Sequence, residues 1–163
     1  MKLSKATDLI GLKSSKAVDL IGMEFEPYSL AVEQGKIREL ALAIGDDNAI
    51  YYDLDAAKKE GYKGIPIPPT FFQVVDLWGG LGSVEKMAKM KLTLARVLHG
   101  QQEYEYLGDI VAGDVLSVTS KVVDVVSKTG NSGVMEFVTM QNQYRNQHGE
   151  LVAQSRNTIV HRL

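Results

Sequence analysis

The spacing of apolar positions changes once along the chain, from helix-like to strand-like, near Leu94. Between Glu33 and Ile44 the apolar residues Ile37, Leu40, Ala41 and Ile44 fall at i, i+3, i+4 and i+7. Lys36, Arg38 and Glu39 lie off that stripe, which predicts an amphipathic helix. Gly45-Asp46-Asp47-Asn48 then ends it in turn chemistry. Asp53 to Glu60 reads as a short helix capped by Asp53 and stopped at Gly61. Gly64 to Thr70 holds three prolines and is predicted extended, because a residue before proline avoids the α region. From Phe71 to Trp78 only Gln73 and Asp76 are polar. A helix so apolar all round is expected to be surrounded by protein. Ser83 to Lys91 is weakly helical or loop. Beyond it, Leu94–Leu107, Asp114–Lys128, Gly133–Arg145 and Leu151–Arg162 are rich in valine, threonine and tyrosine and separated by glycine-bearing turns. These predict four strands in an antiparallel meander. One dry helix and one late sheet give an α+β fold, a curved antiparallel sheet wrapped around a buried central helix. An uncovered sheet edge then favours pairing with a second copy, so a dimer is expected.

Ahead of this pattern, Ser4 to Leu12 returns as Ser15 to Met23, eleven residues later. Two copies are too few for a solenoid. The chain therefore divides into an N-terminal extension, residues 1–20, carrying the duplication, and a single domain over 21–163. Removing Met1 to Lys13 is expected to leave the thermal midpoint within a few degrees, since changes away from packed features cost under ~0.5 kcal/mol. A collapse of the fold in a melting experiment would show instead that the first copy packs into the core.

Composition narrows the chemistry. The 163 residues contain 18 basic and 20 acidic side chains, a formal charge of −2, and no basic stripe, so a nucleic-acid partner is not expected. There is no cysteine, which removes disulfides, thiolate nucleophiles and cysteine-held metal centres. With only His99, His148 and His161, neither a metal site nor a cofactor is expected. The longest uncharged stretch, Gly64 to Val75, is too short to cross a bilayer, so no membrane partner is expected. Lys2, Lys5 and Asp8 have no apolar run behind them, and the expected compartment is the cytoplasm. Within the turns, Asp46 reads by itself as a cap or solvated loop residue. His99 reads as a strand residue bonded to backbone, His148 and His161 as solvated, and Trp78, Phe71 and Phe72 as core.

Gly45-Asp46-Asp47-Asn48-Ala49-Ile50-Tyr51 resembles the Gly-Asp-x-Asn-Pro-aliphatic-His fingerprint of the MaoC-like (R)-specific enoyl-CoA hydratase and 3-hydroxyacyl dehydratase family. Gly61-Tyr-Lys-Gly-Ile-Pro-Ile-Pro-Pro-Thr-Phe71, Leu98-His-Gly-Gln-Gln-Glu-Tyr104, Gly113-Asp114 and Gly130-Asn-Ser-Gly133 are similar to its FAS1-like dehydratase branch. The resemblance covers about Ile21 to Leu163. It implies a single hot-dog fold and a substrate that is a 2-enoyl or (R)-3-hydroxyacyl thioester on CoA or an acyl carrier protein. Asp46 falls on the family's catalytic aspartate, while Tyr51 stands where its catalytic histidine belongs and Ala49 replaces the proline. Asn48, Tyr51, Pro69, Thr70, Phe71 and His99 are the implied substrate-binding residues, and the start of the central helix near Thr70 would offer N–H groups to a thioester carbonyl. Hydration needs a base for water and an acid for the α-carbon. An imidazole with a reference pKa near 6.5 suits both, whereas a tyrosine near 10 does not. The departure at Tyr51 implies the acyl-binding half of a hydratase or dehydratase, paired with a histidine-bearing second hot-dog subunit. The alternatives are a self-sufficient homodimeric hydratase or thioesterase, the latter needing a carboxylate such as Asp76 or Glu60, and a non-catalytic acyl-thioester-binding protein.

Overall fold

The computed structural model describes residues 18–130 and 133–163. The first copy of the duplication, at 4–12, lies outside them. The second copy ends in the domain: Leu20 and Met23 pack on the sheet, and Gly22 N donates to Val122 O at 2.9 Å.

Five strands form one antiparallel sheet: β1 (Glu24–Ala31), β2 (Val97–Tyr106), β3 (Val115–Gly130), β4 (Gly133–Arg145) and β5 (Leu151–Arg162), in the order β1-β3-β4-β5-β2. The period-2 pattern does the expected work in β3, where Leu116, Val118, Ser120 and Val122 turn inward. A register shift between Val122 and Asp124 then moves the phase so that Val125 is the next buried residue, as a bulge does.

The meander expected of the four late strands holds only for β3-β4-β5. β2 lies at the far edge against β5, and β1, which the pattern did not single out, occupies the free side of β3. The connection after β2 explains this. Ile67 N donates to Ile110 O at 3.1 Å and Ala112 N to Ile65 O at 2.8 Å, so the chain is held along the proline-rich segment while it returns to β3.

Four helices accompany the sheet: α1 (Gln34–Ile44), α2 (Leu54–Lys59), α3 (Phe72–Trp78) and α4 (Ser83–Lys89). α1 buries Ile37 and Ala41 of its predicted stripe, and Asp53 caps α2 by accepting from Ala56 N at 2.7 Å. α3 is the central helix. Its Phe71–Phe72–Val75 face is wholly buried on the sheet, but Leu77 is 53 % and Trp78 74 % exposed. The dry circumference expected for it is therefore corrected. A seven-residue helix lying on a sheet covers one face, and no described segment of the same chain lies over the other.

Tyrosine hydroxyls fasten α3 down. Tyr28 of β1 donates to Asp76 Oδ1 at 2.8 Å, and Tyr144 of β4 donates to the same carboxylate at 2.9 Å. The Tyr28 ring needs the glycines that follow. A Cβ at Gly80 would sit 2.3 Å from its Cδ1, so any side chain there displaces the ring.

A second apolar cluster, with Phe25, Met90, Val122, Val125, Val138 and Ile159 buried at its centre, fills the space under α4. Lys86 of α4 is buried there with its ammonium 5.6 Å from the Phe25 ring centre, and burial pushes its pKa down. His161, expected in solvent, is 8 % exposed beside buried Glu136, its Nδ1 3.3 Å from Oε2. It lies in β5 rather than in a loose terminus. Among the described residues no helix is long and apolar enough to cross a membrane.

Candidate active site

The site is set by how α1 ends. Gly45 takes a left-handed conformation (φ 72°), and Asp46 N donates back to Ala41 O at 2.9 Å, which closes the helix and turns the chain inward. Asp46 is half-buried, and its Oδ1 accepts from Asn48 N at 3.1 Å. Asn48 Oδ1 in turn accepts from Ile50 N at 3.2 Å, capping a single 3-10 turn over Ala49–Tyr51. Asn48 is thus exposed and engaged in holding its own loop. The turn delivers Tyr51 into the first core cluster at 7 % exposure. Its hydroxyl makes no hydrogen bond with any described residue. Burial, then the charge of Asp46, then Tyr62, push the Tyr51 pKa up from its ordinary value. Tyr52 closes the loop from outside by donating to Asp46 O at 2.6 Å.

β2 supplies the opposite wall. Tyr106 donates to Pro69 O at 2.6 Å, and Gln73 Nε2 donates to Tyr104 OH at 2.6 Å. The Tyr106 pKa is raised by burial and, less, by Tyr104 and Tyr51. Asp46 and Tyr51 lie in one loop and Pro69 lies against Tyr106, while Phe71 is buried and Thr70 is exposed just ahead of α3. The N–H groups of Phe71, Gln73 and Val74 are already bonded to Pro68, Thr70 and Phe71 carbonyls at 2.9–3.0 Å. Those three donors are not free for a thioester carbonyl. His99 is exposed near the other end of β2, roughly 20 Å from Tyr106 at ~3.3 Å per residue. Within one chain it does not join Asp46. An open groove of about 510 Å³, lined in part by Asn48, Lys59, Glu60 and Tyr62, leads to the Asp46 loop from solvent.

Tyr62, Tyr104 and Tyr106 were not singled out, and Asp76 was considered only as a thioesterase carboxylate. Tyr104 and Tyr106 carried a usable signal, since i and i+2 in a strand share a face. Asp76, an apolar helix's lone carboxylate, carried another.

The sequence model of the FAS1-like dehydratase domain region matches residues 19–155. The chain belongs to this family. A relative in Streptomyces avermitilis, a UPF0336 protein, is 35 % identical over 137 residues, covering 84 % of this chain and 87 % of the relative. A UPF0336 protein of Thermobifida fusca is 35 % identical over 135 residues, 83 % and 84 % of the two chains. Among solved structures, the ChsH1–ChsH2 complex of Mycobacterium tuberculosis contains a chain similar at TM-score 0.74 and 25 % identity, over 90 % of this chain and 89 % of that one. A chain of the HadBC (3R)-hydroxyacyl-ACP dehydratase complex from the same organism aligns at TM-score 0.72 and 22 % identity, over 87 % and 97 %. A MaoC-like dehydratase aligns at TM-score 0.76 and 22 % identity over 90 % of this chain but 43 % of its own length. The fold of this FAS1-like dehydratase member is the hot dog that the motifs implied.

Proposed function

We propose that the chain is the acyl-thioester-binding half of a hydratase or dehydratase acting on 2-enoyl or (R)-3-hydroxyacyl thioesters of CoA or an acyl carrier protein. A second hot-dog subunit would carry the histidine. The observation that carries this reading is Tyr51. In hydration a base takes a proton from water as its oxygen attacks the β-carbon, while an acid gives a proton to the α-carbon. At the position of the family histidine this chain holds a phenol whose pKa is pushed upward by burial and by Asp46. Such a group is less often ionised at neutral pH than free tyrosine, and its hydroxyl, without a hydrogen bond among the described residues, is suited to hold a water or an acyl oxygen.

The edges of the sheet support pairing. β1 contains Pro27 and a register shift between Phe25 and Tyr28, which blunt it as a partner. β2 is ten residues long, without proline, has one register shift between His99 and Gln101, and among the described strands pairs with β5 only. Exposed Leu77 and Trp78 of α3 are the apolar surface a second subunit would cover. The ChsH1–ChsH2 and HadBC structures are complexes of two different subunits, in keeping with this.

A thioesterase using Asp76 is disfavoured, because both carboxylate oxygens already accept from Tyr28, Tyr144 and Asn142. The test is hydration of crotonyl-CoA by the purified chain, alone and with a hot-dog subunit bearing an intact Asp-to-His fingerprint. Turnover only with the partner is expected. Light scattering on the chain alone should show a dimer, and a monomer at micromolar concentration would count against pairing through β2.

A further inference from the structure

β2 carries one extra residue, and its effect falls on His99. His99 pairs with Ile159 and Gln101 with Thr158, adjacent positions of β5, so Gly100 has no counterpart. A Cβ at Gly100 would crowd Thr158 O at 3.0 Å, and the bulge accordingly takes a glycine. Plain alternation from Gln101, Glu103 and Glu105 would put residue 99 on the outer face of the sheet. The bulge re-aims it. Directly opposed residues of an antiparallel pair share a face, and Ile159 is buried in the apolar cluster under α4. His99 therefore stands on the helix side, as do Gln102, Tyr104 and Tyr106, whose β5 partners are Asn157, buried Ser155 and buried Ala153. Yet it is exposed there, and its imidazole makes no hydrogen bond or ion pair among the described residues.

The open edge of β2 says what meets it. A second copy adding antiparallel about a twofold axis at Gln102 engages the whole strand from Val97 to Tyr106. An axis at Glu103 would oppose that carboxylate with its own copy, which costs stability, and one at Gln101 leaves Tyr106 beyond the pairing. With the axis at Gln102 and Gly100 as the extra residue, His99 lies directly opposite Tyr104 of the partner subunit, on the same face. Tyr104 OH accepts from Gln73 of α3 at 2.6 Å, which leaves its own proton free to be donated.

We propose that the chain pairs with a second copy through β2 about Gln102, and that His99 of each copy joins the other copy's site beside Tyr104, as a hydrogen-bonding group for the acyl thioester. The ligand rests on the acyl-binding reading above; the pairing does not. The chain has no cysteine, so disulfide trapping reads the register. Gln102→Cys should link to its own copy under mild oxidation, because opposed residues have Cα atoms about 4.5–5.5 Å apart, within disulfide range. Glu105→Cys should not, its two copies lying roughly 20 Å apart at ~3.4 Å per residue. A folded Gln102→Cys that does not link, a Glu105→Cys that links equally well, or a monomeric chain would overturn the pairing and leave the acyl-binding reading standing. Calorimetric titration with butyryl-CoA reads the role of His99. His99→Ala should remain a dimer and bind about three- to tenfold more weakly, the worth of one hydrogen bond. The imidazole NMR signal that this variant lacks should shift in the unmutated chain when butyryl-CoA is added. Unchanged affinity, or a signal that stays fixed, would overturn the role of His99 alone, and this holds even if Gln102→Cys fails to fold. Absence of butyryl-CoA binding by the unmutated chain would overturn both that role and the acyl-binding reading.

Discussion

Asp76→Ala should destabilise the chain by about 3–5 kcal/mol, as read from urea unfolding. The carboxylate accepts from Tyr28 OH, Tyr144 OH and Asn142 Nδ2 at 2.8–3.1 Å, and two of these donors lie in β4 while the third lies in β1. Alanine leaves them facing an apolar gap, and each buried donor left unpaired costs about 1–3 kcal/mol. Tyr144 keeps Ser155 at 3.0 Å, which holds the total below the simple sum. A loss under ~1 kcal/mol would mean that water reaches the network and that α3 is not pinned by it. The pH dependence has a definite sign. Burial raises the Asp76 pKa above the usual carboxylate range, against the opposing hydrogen bonds, so the folded state holds its proton more tightly than the unfolded one. Stability from this group is full below the unfolded pKa and falls as pH rises through the folded one. Relative to Asp76→Asn, the unmutated chain should therefore lose ground as pH rises from about 4 toward neutrality, opposite to ordinary acid denaturation.

What the residue pattern made legible was local. β3 alternates from Val115 to Val122 before its bulge, β3, β4 and β5 are bounded by glycine turns, and α2 carries its own cap, so neighbours in sequence settle both. The turn that carries Asp46 and Tyr51 was legible as a helix stop, and one 3-10 turn completes it, whereas the roles of the two residues came only from the family resemblance. Long-range choices were not visible. β1 holds a proline and an irregular register, which hides its alternation, yet β3 supplies a partner ladder from Ala31 to Glu24. β2 shares its composition with the other strands, and only the backbone bonds between 65–67 and 110–112 send it to the far edge. Asp76 read as one of two polar positions in an apolar helix and as a candidate thioesterase carboxylate. Its meaning depends on Tyr28 and Tyr144, 48 and 68 residues away, which no spacing rule links. Apolarity also overstated the burial of Trp78, because a pattern records what a side chain would bury, and no described segment of the chain covers it.

Tyr51→His should raise crotonyl-CoA hydration by the purified chain at least about tenfold above a near-background rate. A well-placed general acid–base contributes ~10²- to 10⁴-fold, and the full value is not expected from a loop that did not evolve around the imidazole. The placement favours a gain. Residue 51 is delivered by the Asn48-capped turn into the first core cluster, where the Asp46 charge bears on it, and among the described residues only Oδ1 of the Asp46 carboxylate accepts a hydrogen bond. Histidine is smaller than tyrosine, so the substitution leaves space in the first core cluster that a water can occupy beside both groups. With a histidine-bearing partner present, Asp46→Asn in this chain should change turnover little, whereas removing the partner's histidine should abolish it. The opposite pattern would sink the binding-half reading: robust hydration by the unmutated chain alone, lost in Asp46→Asn. Asp46 would then be the working base of a homodimer, and the Tyr51 hydroxyl, its pKa raised by burial and by that same carboxylate, would become the group that supplies the α-carbon's proton.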